Sequence, residues 1–183
     1  MIRKVPNYEV ALFLPKYSIM KQKDFIIEYT KRDYFEGILC TLDVPSNDPP
    51  HGSNRHKIIV TTEAAQGALS TLIGAHVDYE PSWYHHNYDI VVGRIVRAWI
   101  KDGYLHVLGF LNSTLDPNVL DRIHDLNESL GMSFECQGAH VENMKAPIWR
   151  LKKIEKFTGI ALLLQRRAAY HRSTFKLLNT VSS

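Results

Sequence analysis

The strongest constraint on this chain is a short punctuation, Lys101-Asp102-Gly103, set between two β-rich runs at residues 90–100 and 104–111. Asp-Gly supplies the positive-φ positions of a tight hairpin, so the flanking runs must pair antiparallel. Other segments share the bias. Residues 35–44 read Phe-Glu-Gly-Ile-Leu-Cys-Thr-Leu-Asp-Val, rich in strand formers. Shorter strand candidates lie at 8–15, 24–29 and 72–77. Residues 132–140, 148–154 and 157–164 complete the set. The clearest loop is Pro45-Ser46-Asn47-Asp48-Pro49-Pro50-His51-Gly52-Ser53-Asn54.

Helical signals are fewer. Ala64, Ala65, Ala68, Leu69 and Leu72 recur at helical spacing, with Thr61 or Thr62 as the cap. Asp116-Pro117 offers a cap followed by proline at the first helical position. Val119, Leu120, Ile123, Leu126 and Leu130 then share one face, and Gly131 fits a left-handed stop. Residues 166–178 read as a last helix. Many strands with few helices between them predict an α+β fold. Its sheet should be a closed or strongly curved, mainly antiparallel β-barrel with a few flanking helices.

A chain of 183 residues fits one domain and can bury a core without metal or disulfide staples. No repeat or linker divides residues 1–183. No apolar run approaches the roughly 20 residues that span a bilayer, and no signal core follows the basic start, so a cytosolic protein is expected. Cys40 and Cys136 make no framework and read as reduced thiols. Charge is uneven. Residues 1–140 hold 13 Lys+Arg against 17 Asp+Glu, whereas residues 141–183 hold 9 against 2. The basic end is either a solvated face or a surface for an acidic partner or nucleic acid.

Chemistry points first to Leu130-Gly131-Met132-Ser133-Phe134-Glu135. On a strand, Met132, Phe134 and Cys136 would face the core, leaving Ser133, Glu135 and Gln137 on a groove or polar face. A serine at such a corner can act as a nucleophile if a base is near, and histidine is the usual base. The upstream segment Tyr84-His85-His86-Asn87-Tyr88-Asp89 supplies two. Adjacent strand residues face opposite ways, so only one of them would meet Ser133. A metal site from His76, Asp78, His86 and Asp89 matches no compact ligand spacing. No metal and no cofactor are expected, although a small metal-dependent nuclease or hydrolase is the third function class in play. Cys136 points at the core, which argues against a reactive thiolate. Trp83, Tyr84 and Tyr88 could stack on bases, but no Lys/Arg stripe accompanies them, so nucleic acid is not an expected partner.

The order of these pieces resembles the prohead (capsid maturation) serine proteases of tailed phages, distantly related to the herpesvirus assemblins. The resemblance covers residues 35–175. It rests on His86 with Val92-Gly93-Arg94-Ile95, then Gly103-Tyr104-Leu105-His106-Val107-Leu108-Gly109-Phe110. Leu130-Gly131-Met132-Ser133-Phe134-Glu135 follows, then residues 157–164 and Ala168-Ala169-Tyr170. By that resemblance Ser133 is the nucleophile and His86 the general base, with His85 the fallback. Thr158 falls where the family places its third triad member, often a Glu. It departs from the pattern, because a hydroxyl can orient an imidazole but cannot stabilise imidazolium as a charge does. Glu135 or Asp89 are then the other acids to consider. Arg166 and Arg167 fall where assemblins carry a pair of arginines at the oxyanion hole. The resemblance implies an endopeptidase inside the prohead, within the host cytoplasm. It would cut the scaffolding protein, the major capsid protein's extension and itself, with a second copy of the chain (a homo-oligomer) as a candidate partner. The competing expectation is an inactive homologue kept as a scaffold or capsid assembly protein.

Overall fold

Residues 148–164 contain one glycine and no proline, so nothing in the chain breaks an extended run there. The computed structural model describes residues 32–112 and 115–178, and in it the two expected strands are a single one, β7 (Ile148–Leu164). The other strands are β1 (Arg32–Thr41), β2 (Lys57–Val60), β3 (His76–Tyr79), β4 (Val91–Lys101), β5 (Tyr104–Asn112), β6 (Leu130–Val141) and β8 (Lys176–Leu177). Among the described residues two short α-helices accompany them, α1 (Thr62–Ala68) and α2 (Val119–His124). The strand candidates at 8–15 and 24–29 lie outside the described residues.

The eight strands form one sheet in the order β2-β7-β3-β4-β5-β1-β8, with β6 on the other edge of β7. Only β2 and β3 run parallel to β7, while the remaining pairings are antiparallel. The fold is therefore α+β and mainly antiparallel, as expected. The expected closure is corrected: the sheet does not close into a barrel. Where β6 would meet β1, the extended stretch around residues 173–175 lies between them. Phe175 N–H donates to the Leu130 carbonyl, and Thr174 N–H donates to the Ile38 carbonyl. Ser173 Oγ accepts from Met132 N–H. This strap takes up backbone groups that closure would have paired.

Several local readings hold. Asp102 (φ 51°) and Gly103 (φ 77°) make the β4–β5 turn in the left-handed conformation their identities allow. Thr61 caps α1, its Oγ1 accepting from Ala64 N–H at 3.0 Å. Others are corrected. The helix expected over 116–130 is only α2, because Leu130 and Gly131 belong to β6, paired with Leu164 and Leu163. Gly131 is thus strand, not a helix stop. The helix expected over 166–178 is a single tight turn, Gln165–Arg167, followed by the strap and β8.

Burial follows the pleat of β7. Ile160, Leu162 and Leu164 join the main core with Phe35, Leu39, Val77 and Met132. Ala161 and Leu163 point to the other face, where they meet Ala168 in a small second cluster. That second face is where the chemistry-bearing residues gather.

Both thiols are placed to be inert. Cys40 is fully buried, which pushes its thiol well above the usual range. Cys136 is also raised, by burial first and by the Glu135 charge second. Since thiolate is the reactive form, both should react with a disulfide reagent at neutral pH at least about tenfold more slowly than in urea-unfolded protein. A fast stoichiometric reaction of native Cys136 would overturn that placement.

Candidate active site

Three adjacent strands bring the site together. In the registers of β3, β7 and β6, His76 lines up with Gly159 and Glu135, and Asp78 lines up with Ala161 and Ser133. Side chains in such rows project to one face. Asp78 and Ser133 are two strands apart, roughly 10 Å at their backbones, and the small Ala161 between them leaves the space above open to an incoming ring. Gly159 does the same one row away. A Cβ there would collide with the His76 imidazole, so only glycine lets that ring lie across β7. The register shift at Val77/Asp78 against β4 re-aims Asp78 at the end of β3.

The ring that arrives is His86. Residues 80–90 form a turn-rich loop rather than the strand on which the alternation of His85 and His86 was argued. The two still diverge. His85 is exposed beside Tyr84, whereas His86 folds back over the sheet with a fifth of its side chain accessible. Its Nδ1 lies 2.9 Å from Glu135 Oε1 and 3.8 Å from Asp78 Oδ2. His76 Nε2 lies 3.4 Å from the same Asp78 oxygen. The loop is pinned beneath, since Asn87 N–H donates to Asp78 Oδ1 at 2.9 Å. These are ion-pair distances without aligned hydrogen bonds: His76 Nε2, Asp78 Oδ2 and His86 Nδ1 are buried and have no well-directed partner. Tyr88 packs on both imidazoles and donates to Glu135. That hydrogen bond, with burial and nearby negative charge, pushes the Tyr88 phenol up to about 12.

No family model and no curated protein matches the chain.

The other expected residues are placed as follows. Ser133 is half-buried on β6, two residues from Glu135, and borders a shallow apolar cleft with Leu39, Pro50, Ile58 and Tyr170. Among the described residues no hydrogen bond joins it to His86. Thr158 is the extra residue of a β-bulge, since Glu135 pairs with Gly159 while Cys136 pairs with Phe157. Arg166 and Arg167 sit on the turn after β7 with their guanidinium groups already engaged. Arg166 Nε donates to Glu128 Oε2 at 2.7 Å and Nη2 to Oε1 at 3.2 Å. Arg167 lies 4.4 Å from the Tyr84 ring centre. The two arginines lower the Tyr84 phenol, and Arg166 lowers the Glu128 carboxyl. They therefore tie the His86 loop to the chain just before β6.

Among the described residues no His, Cys, Asp and Glu group is arranged to hold a metal ion. Asp89 is exposed, its N–H turned to Asn87 Oδ1 at 3.1 Å. Nor is any described helix long and apolar enough to cross a membrane. Sequence reasoning placed Ser133 and Glu135 on one face but gave Asp78 a role only as a metal ligand. The missed signal was His76-x-Asp78 itself: at strand spacing a His and an Asp share a face, and the face they share is that of Ser133.

Proposed function

We propose that this chain is a serine endopeptidase of the capsid-maturation kind, cutting a scaffolding protein and a capsid-protein extension inside a viral prohead. The observation that carries the reading is the contact of His86 Nδ1 with Glu135, two residues along β6 from Ser133. An imidazole whose Nδ1 faces a carboxylate keeps Nε2 for the substrate side. In this scheme Ser133 Oγ gives its proton to His86 Nε2 and bonds to the peptide carbonyl carbon. The tetrahedral oxyanion is held by the backbone N–H of Arg166 rather than by a guanidinium group, the Gln165 N–H being taken by the Ser129 carbonyl. His86 returns the proton to the leaving amine as the C–N bond breaks. Water then releases the acyl group by the same proton route. An extended peptide suits the site, because a substrate can add beside a strand through main-chain hydrogen bonds.

One observation favours the rival reading, an inactive homologue that binds scaffold or shell. Ser133 and His86 are not hydrogen-bonded, and Lys145, Lys153 and Lys156 are exposed around the far half of β6–β7, where Lys152 pairs with Glu142 at 2.9 Å. Catalytic hydrogen bonds are often loose before substrate binds, so chemistry must decide. Incubation with a fluorophosphonate probe should add its mass to the peptide containing Ser133. Co-expression with candidate scaffold and shell proteins should yield shortened products. A probe-resistant protein that still co-purifies with scaffold would establish the assembly reading instead.

A further inference from the structure

We propose that Asp78 is the positioning carboxylate of this site, fixing the His86 loop through one oxygen and supporting charge on the His86 ring through the other. This rests on the peptidase reading for its catalytic consequence, though not for its structural one. Among the described residues Asp78 is the one fully buried charged side chain. A buried carboxylate without compensation is strongly unfavourable, so its surroundings must repay its desolvation. The surroundings are specific. Oδ1 accepts the Asn87 amide, which lies next to His86 in the chain. Oδ2 has His76 Nε2 on one side and His86 Nδ1 on the other, and no aligned partner of its own. Glycine at 159 and alanine at 161 clear the floor beneath both rings.

The competing groups fit the role less well. Thr158 sits at a bulge and carries no charge. Glu135 is closer to His86, but it remains partly exposed and is shared with the Tyr88 hydroxyl. Solvent screens an exposed carboxylate more than a buried one. The groups facing His86 are thus Asp78 and His76 from β3, Glu135 from β6, and Tyr88 from its own loop. When His86 takes the Ser133 proton, the imidazolium forms beside the buried charge of Asp78. A fixed negative charge in that place favours the protonated ring.

The experiment compares Asp78→Asn, Glu135→Gln, Thr158→Val and His76→Gln, each checked by thermal melt. The first readout is the NMR titration of the His86 ring protons, which needs no activity. In Asp78→Asn the midpoint should move down by about one pH unit or more, because the amide keeps the Asn87 bond but loses the charge. In His76→Gln it should move up, since the carboxylate then faces a single imidazole. The second readout is the rate of fluorophosphonate labelling of Ser133 against pH. Asp78→Asn should lower it at least about tenfold and carry its acidic limb to lower pH. The proposal is overturned if the titration does not move, or moves more in Glu135→Gln or Thr158→Val than in Asp78→Asn. Should Asp78→Asn not fold, the direction of the His76→Gln shift decides. Wild-type protein that resists labelling removes the peptidase reading, and the NMR titration still tests the coupling of Asp78 to His86.

Discussion

Ser133→Ala yields a folded protein that no longer cleaves a scaffold-derived peptide. The side chain is half-buried on the face away from the main core, and among the described residues it has no hydrogen bond to lose to His86. Removing the hydroxyl should therefore change stability by no more than about 0.5 kcal/mol. The chemical loss is of another order. Without Oγ there is no acyl-enzyme, and only binding and oxyanion stabilisation remain, so the rate should fall on the order of 10⁴-fold or more. Single-turnover cleavage, followed by mass spectrometry beside thermal melts of both proteins, measures the two effects separately. A folded Ser133→Ala variant that cuts at the wild-type rate would place the nucleophile elsewhere or remove the peptidase reading.

The parts of the fold that were legible in the sequence are those fixed within a few residues. Asp102-Gly103 determines its hairpin because few other dipeptides hold two successive positive φ angles. Thr61 marks a helix start because its hydroxyl reaches the Ala64 amide from three residues away. The face of β6 was legible for a similar reason: Met132 and Phe134 alternate with Ser133 and Glu135, and the period of 2 leaves one choice of core side.

What failed was decided at longer range. Leu126 and Leu130 have helical spacing, yet Leu130 pairs with Leu164, and tertiary pairing overrode the local pattern. The end of the 166–178 segment carries no helix because the Thr174, Phe175 and Leu178 amides donate to carbonyls of β1 and β6, and the Ser173 and Thr174 hydroxyls accept from amides of those strands. The same strap explains why the sheet stays open. The site was legible only in pieces. Ser133, Glu135 and His86 stood out as residue types. Their meeting with Asp78 and His76 depends on β3 and β6 flanking β7, a register that local pattern does not contain.

His86→Ala should be far more damaging than His85→Ala. The two are neighbours in a loop, so any effect on loop entropy is nearly shared, and the comparison isolates what each ring touches. His86 has Glu135 at 2.9 Å and Asp78 at 3.8 Å, whereas His85 is exposed beside Tyr84. Loss of a general base costs on the order of 10²–10⁴-fold, so peptide cleavage by His86→Ala should fall into that range or below it. His85→Ala should stay within about threefold of wild type, as expected for a side chain outside the reacting unit. His86→Ala also strips one imidazole from the buried Asp78 carboxylate, which should cost about 1–3 kcal/mol of stability. Activity must then be measured well below the melting point of that variant. Added imidazole separates the two losses. A free ring that enters the vacated space can take the Ser133 proton and restore part of the cleavage, whereas it does nothing for a loop that has merely come loose. Equal losses at the two positions, or rescue of His85→Ala instead of His86→Ala, would show that the loop presents the other imidazole to Ser133 when substrate is bound.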